Sequence, residues 1–105
     1  MTRYLVNKVI WEVDRTDDGL AAFKADPARL LDAWTGSSEG GPLTGEERHA
    51  LETRDYGWLY AMGANPFLLW QFARSVSVPD EMAVEELIAS FRAAVEPHGY
   101  PDFHT

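Results

Sequence analysis

Few residues of this chain have the chemistry for catalysis, and they are scattered. Histidine occurs only as His49, His98 and His104. A non-haem Fe(II) site of the facial-triad kind needs two histidines and one carboxylate converging, with open positions left over. His49 falls in a short charged stretch, whereas His98 and His104 flank Asp102 in a terminal tail, a poor scaffold for ligand geometry. No metal site within the chain is expected; the version that survives is a tail, His98 to Thr105, entering a partner's pocket. Arg54-Asp55 could orient a substrate carboxylate, but Asp55 reads better as a helix cap and Arg54 as a surface ion-pair partner. Acids are plentiful, yet no pair has the glycine loop or apolar surround that would tune its pKa. Nucleophile–base pairs and phosphate loops are missing too, so no catalytic residue is expected.

Composition narrows the field further. The 105 residues suffice for one domain with a real core. With no cysteine, disulfides, thiolate metal sites and cysteine nucleophiles are excluded. A formal charge of −8 argues against nucleic acid, since phosphate binding needs clustered Lys and Arg. The N-terminal apolar run Tyr4 to Val13 is interrupted by Asn7, Lys8 and Glu12, so it is neither a secretion signal nor a membrane span. The expectation is a cytoplasmic protein that does not engage membranes.

The elements that would carry these residues read as short helices. Val6, Val9, Ile10 and Val13 make one helical stripe, with Tyr4 and Trp11 on a second face, although their β-branched content would also suit a strand. Asp17-Asp18 opens a second helix with inner contacts at Leu20 and Phe23. Asp26-Pro27 starts a third, as cap and first helical residue, with Leu30, Leu31 and Trp34 inward. Thr35 to Pro42 reads as a mobile surface loop. Thr44-Gly45-Glu46-Glu47 is a capping box. Asp55 caps the next helix, and Gly63 ends it. Asn65-Pro66 starts the following one, which runs to about Val76. Asp80 is expected to cap a last helix with the stripe Val84, Leu87, Ile88, Phe91 and Val95. The expected fold class is all-α: one compact domain of about six or seven short helices.

The segment Pro66 to Val76 is apolar on nearly every side. Phe67, Leu68, Leu69, Trp70, Phe72 and Val76 cannot all point one way. Those left over must meet another helix or another chain. Tyr60, Phe67, Trp70 and Phe72 are the expected partner-facing residues, with Trp11 and Trp58 facing the same test. Asn65 joins them: a cap uses its oxygen and leaves the amide donors available across an interface.

An ordered series of short motifs adds to this: Asn7-Lys8, Phe23-Lys24-Ala25-Asp26, Leu31-Asp32-Ala33-Trp34, Leu43-Thr44, Arg54-Asp55-Tyr56, Gly63-Ala64-Asn65 and the helix Pro66 to Ala73. In order and spacing it resembles the LigA-like small (alpha) subunit of protocatechuate 4,5-dioxygenase type extradiol enzymes, over residues 4 to about 76. The helix at 80–96 and the tail 97–105 lie outside that match. Thr35 to Pro42 is longer than the family's usual link, and Ser77 to Met82 has no aromatic residue for a lid.

The resemblance implies an all-helical subunit without metal, packed as a lid over a larger subunit that holds Fe(II) by two His and a carboxylate. That enzyme opens catechol-like rings. The expected function is therefore a non-catalytic small subunit of such a dioxygenase, contacting its partner or substrate pocket through Tyr60, Asn65, Phe67, Trp70 and Phe72. The alternative is a stand-alone helical recognition domain, homodimers included, without dioxygenase activity.

Overall fold

The starts of five helices in this protein follow from side chains within three residues. The computed structural model describes residues 2–38, 40–78 and 80–98, which form seven α-helices and no strand. They are α1 (Thr2–Asp14), α2 (Asp17–Ala25), α3 (Pro27–Thr35), α4 (Gly45–Thr53), α5 (Tyr56–Ala61), α6 (Pro66–Ser77) and α7 (Val84–Val95). A 3-10 turn, Glu96–His98, follows. Asp102 and His104 of the terminal tail lie outside the described residues.

Thr16 Oγ1 caps α2 by accepting from the Gly19 N–H, with Asp17 and Asp18 in the first turn. Asp26 caps α3 and Pro27 sits in its first turn. The capping box at α4 is complete: Thr44 Oγ1 accepts from the Glu47 N–H at 3.1 Å, and Glu47 Oε1 accepts from the Thr44 N–H at 2.7 Å. Asp55 and Asn65 cap α5 and α6. Gly63, at φ 106°, takes the left-handed turn between them.

The ambiguous first segment is a helix. Tertiary burial decides it, since Val6, Val9, Ile10 and Val13 all enter the core on one stripe. The loop after α3 folds back on Trp34. Ser37 Oγ donates to the Trp34 carbonyl and accepts from the Gly40 N–H. A Cβ at Gly40 would lie 1.7 Å from that carbonyl oxygen, so only glycine fits.

The last helix departs from expectation. Asp80 does not cap it: α7 begins at Val84 behind Ala83, with no side-chain cap. Asp80 instead receives Lys24 of α2 at 2.6 Å, and Glu81 receives Arg54 from the α4–α5 turn at 2.5 Å. The Ser77 carbonyl accepts from the N–H groups of both Glu81 and Met82, turning the chain before α7 can start.

Packing closes these elements around α6, which touches α1, α2, α5 and α7. Its Leu69, Phe72, Ala73 and Val76 meet Phe23, Leu59, Leu87 and the α1 valines in one core cluster. The Cα radius of gyration, 13.1 Å, is that of a single compact body of about this length.

Candidate partner-facing surface

An all-round apolar helix acquires an outer face only once its neighbours are in place. At 100° per residue, Phe67, Gln71 and Arg74 fall opposite the buried Leu69, Ala73 and Val76. On one side α6 lies against α1. The Asn65 N–H donates to Asn7 Oδ1 at 2.8 Å, and Asp14 shares a depression with Gln71, Arg74 and Ser75. On the other side it lies against α7, where the Trp70 ring meets Phe91 edge-on at 5.3 Å.

Phe91 is held from below as well, by Tyr56 of α5 at 5.6 Å. That contact needs α5 and α7 close together, and Gly57 allows it: a Cβ there would lie 2.5 Å from the Ala94 carbonyl oxygen. The Tyr56 hydroxyl is buried without a hydrogen-bond partner. Burial pushes its pKa up to about 12, moderated by the Arg54 charge and by the nearby Ser77 hydroxyl, which stands outside hydrogen-bonding geometry.

The five expected contact residues separate on these grounds. Phe67 is 42% exposed on the outer face, and Trp70 is half-buried at the α6–α7 seam. Tyr60 is half-buried, packed against the core from α5. Asn65 is exposed; its Oδ1 accepts from the N–H groups of Phe67 and Leu68, so the amide donors remain for other partners. Phe72 is not on the surface. At 1% exposure it stacks edge-on to Phe23 at 5.1 Å, because α2 covers that side of α6.

Other large apolar side chains are exposed on the flanking helices. Tyr4 (61% exposed) and Trp11 (47%) stand on the outer face of α1, and Ile88 (42%) on α7, one turn from Phe91. Lys8 Nζ sits 5.9 Å from the Tyr4 ring centroid and Arg15 lies 4.8 Å over Trp11, so each ring carries a cation. Among the described residues the four large exposed apolar side chains thus belong to α1, α6 and α7, and α6 is packed against both of the others. The signal for α1 was in the sequence: Tyr4, Lys8, Trp11 and Arg15 repeat every three to four residues opposite the valine stripe.

His49 lines a shallow 270 Å³ depression with Glu46, Asp55 and Trp58. Among the described residues no group of three or more His, Asp or Glu is placed to hold a metal ion.

The family described as aromatic-ring-opening dioxygenase LigAB, LigA subunit, matches residues 6–95. This chain belongs to the LigA family. No curated protein and no solved structure matches it. The LigA match runs past residue 76 through α7, so the acidic last helix is part of the family domain and not an addition to it.

The LigA-like motifs turn out to be joints. Asn7 ties α1 to the start of α6, Lys24 ties α2 to Asp80, and Asp26, Thr44, Asp55 and Asn65 are caps. Asp32 of α3 pairs with Arg48 of α4, which also reaches Glu52 and the Ala28 carbonyl. The Arg48 hydrogen bond and charge hold the Asp32 carboxyl below its usual range. Arg54 holds the left-handed turn into α5 at φ 58°. No described helix is long and apolar enough to cross a membrane.

Proposed function

We propose that this chain is the non-catalytic small subunit of an extradiol aromatic-ring dioxygenase, docking its α1–α6–α7 face over the Fe(II) site of a separate large subunit. The observation that carries this is the pairing of a LigA-family match over most of the chain with large apolar side chains left exposed on α1, α6 and α7. Phe67 and the half-buried Trp70 lie on α6, Tyr4 and Trp11 on α1, and Ile88 on α7. Aromatic side chains packed into a partner's pockets are the usual anchors of such an interface. The exposed Asn65 amide supplies a polar contact at its rim. In this role the chain contributes walls and water exclusion around a catechol-like substrate, while the metal and its chemistry belong to the partner.

The test is reconstitution. Purified alone, the chain is expected to bind no stoichiometric iron and to open no catechol ring. Mixed with a large subunit encoded beside its gene, it should form a stable complex, bury Trp70 and raise ring cleavage. Tight iron in the isolated protein would refute the proposal. A homodimer that hides Trp70 and ignores the large subunit would favour a stand-alone interaction domain.

A further inference from the structure

α1 and α6 run side by side from Asn7 and Asn65, and their C-terminal halves enclose a second feature. A depression of about 310 Å³ is lined by Asp14, Gln71, Arg74, Ser75 and Val78. Its volume is at the low end for small-molecule sites. Asp14 is the last residue of α1, where the negative end of the helix dipole opposes a carboxylate. Its Oδ1 is sealed from solvent and has no hydrogen-bond partner among the described residues. Such an oxygen is costly unless a donor or cation reaches the carboxylate. Arg74, in the last turn of α6, lines the same depression and is exposed. None of the described ion pairs includes Asp14 or Arg74, so the two line one depression without pairing with each other. The Gln71 amide and the Ser75 hydroxyl complete the polar lining.

We propose that this depression binds a small zwitterion, a molecule carrying a carboxylate and an ammonium group a few bonds apart. The carboxylate lies on the Arg74 guanidinium and the ammonium on Asp14, with Gln71 and Ser75 fixing the orientation. A singly charged ligand satisfies one wall and leaves the other charge uncompensated, so the site discriminates for molecules bearing both. This assignment is made for the isolated chain, because Gln71 and Arg74 share with Phe67 the outer face of α6 that is proposed to dock the partner.

The experiment is an amide chemical-shift titration of the full chain with glycine, 4-aminobutyrate and 6-aminohexanoate, against acetate and methylammonium at equal ionic strength. Saturable shifts at residues 14, 71, 74 and 75 are expected for at least one zwitterion, with no saturation by either single-charge control. Asp14→Asn and Arg74→Gln should each weaken that binding about ten- to hundredfold, the range for losing one hydrogen bond to a charged group. If Asp14→Asn fails to fold, Arg74→Gln alone decides, since its side chain is exposed. No saturation by any zwitterion, an equal response to acetate or methylammonium, or unchanged binding in Arg74→Gln overturns the assignment.

Discussion

Replacing Gly57 by alanine pits two known effects against each other, and the structure says which wins. In an exposed helix interior the change would stabilise by about 1 kcal/mol, because glycine pays more backbone entropy than alanine. Here the new methyl would stand 2.5 Å from the Ala94 carbonyl oxygen and 3.5 Å from His98 Nε2. A close carbon–oxygen contact is about 3.3 Å, so α5 and α7 must part by most of an ångström. The obstacle is backbone, which cannot swing aside as a side-chain tip can. Overpacking of this kind costs about 1–3 kcal/mol. It also loosens Phe91, held between Tyr56 and Trp70. The net expectation is a loss of up to about 2 kcal/mol, or up to roughly 8 °C in Tm at this chain length. Urea unfolding followed by tryptophan fluorescence measures it, with Gly57→Ser as the companion variant. If Gly57→Ala comes out more stable than the parent by the propensity term, the α5–α7 contact is looser than described and the support beneath Trp70 must be reconsidered.

Two further expectations follow from burial. Phe67→Ala should cost less stability than Phe91→Ala, because its ring is 42% exposed, yet weaken large-subunit association at least tenfold if Phe67 is an anchor of about 2 kcal/mol. Phe91→Ala should instead cost about 3–5 kcal/mol of stability, and comparable unfolding by both variants would place Phe67 in the core. For Tyr56, the folded-state pKa of about 12 exceeds the ordinary 10.0. Its contribution is therefore complete below pH 10 and is lost as pH rises toward 12, because the unfolded chain ionises first. Two pKa units correspond to about 2–3 kcal/mol. Tyr56→Phe should abolish that alkaline loss while changing little near neutrality, since the hydroxyl has no partner to forfeit. Denaturant midpoints at pH 8 and pH 11 check this, and an unchanged alkaline slope in the variant would rule Tyr56 out as its source.

The amino-acid sequence by itself determined where most of the helices begin, the last one excepted. Asp26-Pro27, Thr44 with Glu47, Asp55, Gly63 and Asn65-Pro66 act through contacts two or three residues away, so their effect is legible locally. The valine stripe of α1 was legible for the same reason, as one periodicity on one helix, and so were Leu87, Phe91 and Val95 of the expected α7 stripe, whereas its Ile88 is 42% exposed and its Val84 only partly buried. Family membership was legible too, because the caps and ties that make the shape occur in a recognisable order.

Only the tertiary structure decided which side of α6 stays wet. Phe67 and Phe72 are chemically alike and five residues apart, yet Phe23 from α2 seals one and leaves the other on the outer face. Asp80 looked like a cap and became the partner of Lys24, 56 positions earlier in the chain. The surface-forming role of Tyr4, Trp11 and Ile88 likewise depends on α1 and α7 flanking α6. Periodicity names the face a helix must bury; what remains exposed is set by which distant elements arrive to cover it.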